Sequence, residues 1–380
     1  MGRMVFEAEH EEFRSSVRAL LQRDLVPHLE ATREVGMISR DMWLSLGAHG
    51  FLGFMVPEEY GGGGIDDFRF NAVLGEELAV HGLAYASSIG INTDVIAPYL
   101  LDLTTDTQKD RWLRPFAAGE LITAIGMSEP EAGSDLGGIR TTARRVSEHW
   151  ILSGSKTFIT NGYRADLVIV AARTPDVGDR AITLFGVESG MPGFTRGKKL
   201  DKVGQPEADT AELFFDDVQL SDDAVIGEVG RGFHAMMARL PTERLSIAIV
   251  CVAHAAAMLE ETIAYAKERR AFGQAIGSFQ HNRFVLADLA TAVEVARCFV
   301  DSCLLAKANG ELTPVAAAQA KYVATETQSR VLDACVQLHG GYGYMRESNV
   351  ARGWLDARVT RIWGGTSEIM CEVISRSLGL

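Results

Sequence analysis

The sequence predicts a mainly α-helical chain with a β domain inserted in its middle. Three observations predict it. Apolar residues recur at helical spacing up to about residue 120; short β-branched runs parted by Gly, Pro, Asp and Asn fill about 121–232; long helical periodicities return after Gly232. With 380 residues, 47% of them hydrophobic, the chain is too long for one compact domain. The expected division is an N-terminal helical domain (1–120), a middle antiparallel β-barrel (121–232) and a C-terminal four-helix bundle (233–380).

The elements follow in order. Phe13, Val17, Leu20 and Leu21 form one face of a first helix, which Asp24 and Pro27 close. VPEEYGGGGID (56–66) breaks the helical pattern, because four consecutive glycines cannot sustain a helix, and the pattern resumes at Phe68. The expected strands are ITAIGM (122–127), HWILSG (149–154), KTFIT (156–160), LVIVAA (167–172), AITLFGV (181–187) and AELFFDDVQL (211–220). Four helices make up the bundle. The first carries Leu245, Ile249, Val252, Met258, Leu259 and Ile263, and the second Leu286, Leu289, Val293, Ala296, Val300 and Leu304. Thr313 and Pro314 announce the third as N-cap and first helical residue, and the fourth follows Thr366.

Composition excludes several classes of function. The formal charge of −13 and pI near 5.2 argue against a nucleic-acid partner, whose phosphates need a basic surface. Cys251, Cys298, Cys303, Cys335 and Cys371 are odd in number and contain no C-x-x-C, so they read as buried free thiols of a reducing compartment. The nine histidines lack metal-ligand spacing, and His254 in its Ala-rich helix reads as a packed residue. The N-terminus has no apolar leader, Phe6 stands where a myristoylated Gly2 would need Ser or Thr, and apolar runs such as 167–172 are too short to span a bilayer. A cytoplasmic protein is expected. P-loop, H-E-x-x-H and G-x-S-x-G motifs are absent, and HGGYG (339–343) follows a helical rather than a strand pattern, so no Rossmann unit is expected.

Four blocks remain: GMSEPEAGSDLGG (126–138), ERRAFGQAIGSFQ (268–280), QLHGGYGYMRESNVARGWLD (337–356) and IWGGTSEIM (362–370). Together and in this order they resemble the acyl-CoA dehydrogenase family over essentially the whole chain. The resemblance implies an FAD enzyme that removes hydrogens from Cα and Cβ of an acyl-CoA to give the trans-2-enoyl-CoA, a reaction of fatty-acid β-oxidation. It places Met127 and Ser128 at the isoalloxazine, Phe158 over one flavin face with Ile159 and Thr160 at its edge, and Ser134 at the pantetheine arm. By family position Arg269 contacts the pyrophosphate of a neighbouring subunit's FAD, with Phe272 and Gln280 beside it, which implies a homotetramer. Gly340 and Gly341 would allow close backbone approach to the adenosine end, with Gln337 on the same element; Thr366 and Glu368 would touch FAD. Read without the family, the same residues make hairpin turns and helix ends.

The reaction needs a base for the Cα proton, and a carboxylate serves if a dry site lifts its pKa toward neutrality. In much of the family this base is a glutamate just before the Gly-Thr of the last block, a position held here by Gly364. The long-chain and isovaleryl branch carries its base in a Glu-Arg pair near the start of the helix that opens the C-terminal domain, present here as LPTERLSIA (240–248). Glu243 is therefore the expected base, Gly364 the space for it and a backbone donor to the enolate oxygen, and Arg244 and Gly365 substrate-side neighbours. The resemblance makes the FAD ribityl 2′-hydroxyl the second donor, flavin N5 the acceptor of hydride from Cβ, and an electron-transfer flavoprotein the partner. A plainer explanation competes: Pro241 opens a helix, and the dipole favours Glu243 in its first turn. Glu131 and Glu368 are the other acids nearby; Glu131 stands where the family more often has glycine. Two other functions stay open, an oxidase or monooxygenase on the same fold and a catalytically silent FAD- or acyl-CoA-binding relative.

Overall fold

Local hydrogen bonds start several helices where the sequence places them. In the computed structural model, which describes residues 3–380, Asp67 accepts from the Arg69 N–H at the start of one helix and Thr313 from the Ala316 N–H at another. Met1 and Gly2, the latter weighed above for lipidation, lie outside the described residues. The N-terminal region contains α1 (Ala8–Leu20), α2 (Leu29–Val35), α3 (Arg40–Ala48), α4 (Phe68–His81), α5 (Leu83–Gly90), α6 (Ala97–Leu103) and α7 (Asp106–Ala117). A π-helical turn, Ile91–Ile96, joins α5 to α6.

The middle region is a sheet of β1 (Thr123–Gly126), β2 (Thr142–Val146), β3 (His149–Thr160), β4 (Leu167–Arg173), β5 (Ile182–Glu188), β6 (Phe194–Lys199), β7 (Thr210–Leu220) and β8 (Val225–Ile226). The order is β6-β7-β3-β2-β4-β5-β8, with β1 also on β4. Most pairs are antiparallel, but β1 runs parallel to β4, because the β2–β3 hairpin intervenes and returns the chain in the same direction. The two runs read as HWILSG and KTFIT are one strand. Gly154 sits inside it at φ +144°, against Thr141 and at a register shift. Strands β2, β6 and β8 were not expected; the first two are polar strands held by pairing, β6 at the sheet edge and β2 between β3 and β4, and β8 has only two residues.

The C-terminal region contains α8 (Gly232–Glu268), a hairpin of β9 (Arg270–Ala271) and β10 (Gln274–Ala275), α9 (Gln280–Ala308), α10 (Pro314–His339), α11 (Asn349–Ala357) and α12 (Ser367–Ser377). Thus α11 joins the four expected helices. Pro241 does not open a helix. It lies inside α8, nine residues after Gly232, where its missing N–H removes the bond to the Met237 carbonyl. Glu243 is therefore in the fourth turn, beyond the N-terminal dipole that offered the plainer explanation for it.

Apolar residues of α1, α3, α4 and α5 share one core with those of α8, α9 and α10. This explains the composition of α8, which is long and apolar enough to cross a membrane by those measures, unlike the shorter runs considered from the sequence. Its most apolar window is 56% buried among the other helices. Of the cysteines, Cys251, Cys303 and Cys335 are buried as expected, whereas Cys298 and Cys371 are exposed on the outer faces of α9 and α12. His254 is buried and paired with Gln328 at 3.1 Å.

Candidate active site

A cleft of about 600 Å³ opens where α5, the π turn, β1, β3, α8 and the Trp363–Gly365 segment meet. Ile91, Val95, Leu240, Ile247 and Val250 line it with apolar surface, and Ser134 to Gly137 border it from the β domain. Glu243 points into this cleft. Its Oε1 is enclosed and has no hydrogen-bond partner among the described residues. Burial pushes the carboxyl up to about 7 against the opposing pull of Arg244, Arg239 and Tyr99.

Gly364, which lines the same cleft against α8, has φ +61°, and an added Cβ there would lie 2.5 Å from Cδ1 of Ile247. Arg244, largely buried, donates from Nε to the Gly364 carbonyl at 3.3 Å. It thereby fastens the Gly364 turn to α8 through a carbonyl. Lys321 donates to the carbonyls of Gly365, at 2.7 Å, and Thr360, at 3.1 Å, holding the same turn from α10.

The β-domain wall is equally anchored. Lys156, fully buried, donates to the Met127 carbonyl at 3.1 Å and to Glu129 at 2.7 Å, while the Thr157 N–H donates to the Ser128 carbonyl at 3.0 Å. Burial would raise the Glu129 carboxyl, but Lys156 and the N–H groups of Thr141 and Arg140 outweigh it and hold it below the usual range. Met127 and Ser128 are thus presented to the cleft by a strand bonded beneath them. Phe158 follows at a register shift with φ +58° and is 72% exposed at the cleft wall, with Ile159 and Thr160 beside it. An exposed aromatic on a left-handed backbone suits a flat apolar ring system laid against it.

Family models for the acyl-CoA dehydrogenase N-terminal, middle and C-terminal domains match residues 7–120, 124–218 and 230–379. The rat mitochondrial long-chain specific acyl-CoA dehydrogenase is 44% identical over 99% of this chain and 88% of its own. The chain belongs to the acyl-CoA dehydrogenase family. The crystal structure of an acyl-CoA dehydrogenase from Geobacillus kaustophilus superposes with a TM-score of 0.97 at 41% identity, covering 100% of both chains. A glutaryl-CoA dehydrogenase from Mycobacterium smegmatis in complex with FADH2 is 26% identical, with a TM-score of 0.92 over 98% of this chain and 95% of that one. Members of this family are FAD flavoproteins, and the Met127, Ser128 and Phe158 wall fits that cofactor.

The other residues inferred from the acyl-CoA dehydrogenase motifs are not among those that line the cleft. Arg269 stacks on Tyr342, its guanidinium carbon 5.7 Å from the ring centroid, so the β9–β10 hairpin meets the Gly340–Tyr344 turn. Phe272 is 95% exposed, and a Cβ on Gly340 or Gly341 would meet nothing within 4 Å, so no contact among the described residues demands these glycines. Gln280 begins α9 and Gln337 lies in the last turn of α10. Thr366 caps α12, accepting from Ile369, and Glu368 is in its first turn, held below the usual range by backbone and Thr366 hydrogen bonds. Glu131 pairs with Arg140.

The sequence reading missed Tyr99, Asn161 and Lys156. Strand alternation placed Lys156 on the inward face with Trp150 and Leu152, a signal open to reading. Asn161 joins the end of β3 to α5 through Ser88, an arrangement no local pattern announces. Glu9, His10 and Asp67 bring possible metal-ligand atoms within 4.8 Å of one another. Both ring nitrogens of His10 are engaged, Nδ1 by the Glu7 N–H and Nε2 by Asp67.

Proposed function

We propose that this acyl-CoA dehydrogenase family member oxidises an acyl-CoA to the trans-2-enoyl-CoA with Glu243 as the base that removes the Cα proton. The observation that carries the reading is the carboxylate itself, its Oε1 enclosed, raised to about 7, in the cleft that Gly364 also lines, where a glutamate is usual at 364. A base of that strength is ionised near neutral pH and still strong enough to accept a proton from a weakly acidic carbon. The thioester enters past Ser134, its acyl chain lies along Ile91, Val95 and Val250, and its reacting carbons lie between Glu243 and the Phe158 wall. The Gly364 backbone N–H supports the oxygen on which negative charge develops, held in place by Arg244 and Lys321. Bound FAD supplies the acceptor for the hydride that leaves Cβ.

The face formed by Arg269, Phe272, Gln280, Gln337, Gly340 and Gly341 fits a contact between subunits, in which it reaches the FAD of a neighbour in a homotetramer. Electrons then pass to an electron-transfer flavoprotein, in a cytoplasmic setting.

The test is anaerobic titration of the purified flavoprotein with acyl-CoAs of graded length, wild type beside Glu243→Gln. Wild type bleaches; the variant retains flavin but loses about 10²–10⁴-fold in reduction rate, the usual contribution of a positioned base. A variant that reduces at the wild-type rate overturns the assignment. Rapid reoxidation of the reduced flavin in air would favour an oxidase, and no bleaching by any acyl-CoA a silent relative.

A further inference from the structure

Tyr99, on α6, is fully buried, yet its hydroxyl has no hydrogen-bond partner among the described residues. Buried hydroxyls are nearly always paired, so an unpaired one beside a reacting group calls for a cause. Two further enclosed atoms without partners belong to the residues around it, Glu243 Oε1 and Arg239 Nε. Tyr99 lies next to the Glu243 carboxylate, close enough for each to act on the other's ionisation, although outside ordinary hydrogen-bond geometry. Arg239 precedes Glu243 by one helical turn on α8, so both side chains leave the same face.

The tyrosine is held from behind. The Arg239 guanidinium lies over its ring, 4.8 Å from the centroid. The outer nitrogens of that guanidinium are already engaged, Nη1 with the Ala235 carbonyl at 3.2 Å and Nη2 with the Pro98 carbonyl at 3.2 Å and Asp102 at 2.9 Å. The ring is therefore clamped to α8 while its hydroxyl stays free toward the base. Catalytic hydrogen bonds are often long before substrate binds and tighten in the complex.

We propose that Tyr99, clamped by Arg239, is a positioning residue for Glu243: in the substrate complex its hydroxyl donates to the carboxylate and holds it ionised and turned toward the cleft. The inference rests on Glu243 being the base. A hydrogen bond donated to the carboxylate favours the charged form, and burial disfavours it. The cationic and phenolic groups that act on the carboxylate are Arg239 and Arg244 from its own helix and Tyr99 from α6. The other charged groups nearby are engaged elsewhere: Asp94 of the π turn with Ser246 and Asn71, and Lys321 with backbone carbonyls. Tyr99 is thus the neutral donor that opposes desolvation from the side facing α8.

Tyr99→Phe tests this, because it keeps the ring and its stacking on Arg239 and removes only the donor. The readout is the rate of flavin reduction by saturating acyl-CoA, followed anaerobically across pH in the holoenzyme. The acid limb should move up by about one unit, lowering the rate about fivefold near pH 7 and about tenfold well below it and restoring it at high pH, with acyl-CoA affinity unchanged. Arg239→Gln should move the limb the same way, and Arg239→Lys, which keeps the charge, should largely restore it. A Tyr99→Phe rate lowered by one factor at every pH, or not lowered at all, overturns the inference. An inactive Glu243→Gln beside an unaltered Tyr99→Phe leaves the base in place and removes Tyr99 from its support; an active Glu243→Gln removes both.

Discussion

A Cβ on Gly364 would lie 2.5 Å from Cδ1 of Ile247, one turn beyond Glu243 on α8. The turn that commonly carries the family's base is here pressed against the helix that carries Glu243, and Ile247 fills the space that a side chain at 364 would need. Gly364 also has φ +61°, which an L side chain adopts at a cost. Under the proposed assignment of Glu243 as base, the absence of a side chain at 364 follows from the packing of Ile247 against this turn.

Gly364→Ala should therefore lose about 1–3 kcal/mol of stability from backbone strain, with more from the clash, in urea or thermal unfolding. Gly364→Glu placed in a Glu243→Gly background should remain inactive until Ile247 is also cut back to Ala. Recovery of flavin reduction without the Ile247 change would contradict the steric account.

The Glu243 carboxyl stands at about 7 in the folded chain against an ordinary 4.5, so folding favours its protonated form. That stabilisation is complete below about pH 4.5 and is lost as pH rises through about 7, amounting to about 3 kcal/mol at most. Glu243→Gln, neutral throughout, should exceed wild type in stability above about pH 8, with the gap narrowing as pH falls toward 5. Wild-type flavin reduction should run the opposite way, rising with pH through a midpoint near 7. A midpoint near 4.5 would mean that the carboxyl is hydrated.

Lys156 and Glu129 form a buried pair at 2.7 Å beneath Met127 and Ser128. Lys156→Met would leave Glu129 uncompensated and cost about 3–5 kcal/mol, while Lys156→Met with Glu129→Gln should recover part of the loss. Because the Met127 carbonyl also loses its donor, FAD retention through gel filtration should fall in both variants. Full flavin content in the single variant would show that this wall stands without the lysine.

Phe158 is 72% exposed at φ +58°, so the fold itself gains little from the ring. Phe158→Gly should leave the flavin-free protein as stable as wild type or up to about 1 kcal/mol more so, because glycine accepts this backbone freely. The same change should weaken FAD binding, measured by titrating apoprotein with FAD. Unchanged FAD affinity would remove Phe158 from the cofactor wall.

Much of the helical plan was legible because the signals are local. Thr313 and Pro314 begin α10 and Thr366 caps α12 as read, each through an oxygen accepting an N–H three residues on. Pro241 misled the reading for the same reason: proline at a first helical position is a local rule, but the apolar core carries α8 back to Gly232 across it. The polar strands β2 and β6 escaped notice because a partner, not their own pattern, makes them strands.

The sequence by itself determined the succession of helical, β and helical regions, the family resemblance, and two coupled facts, a glycine at 364 and a Glu-Arg pair at 243–244. These follow from periodicity, capping and motif order, which act over a few residues. Only the tertiary structure decided that Glu243 faces an enclosed cleft with Tyr99 and Arg239 beside it, and that Lys156 supports the Met127 loop. Tyr99 and Glu243 are 144 residues apart in the chain. What raises the carboxyl is the removal of water around it, and that depends on side chains from distant segments packing together.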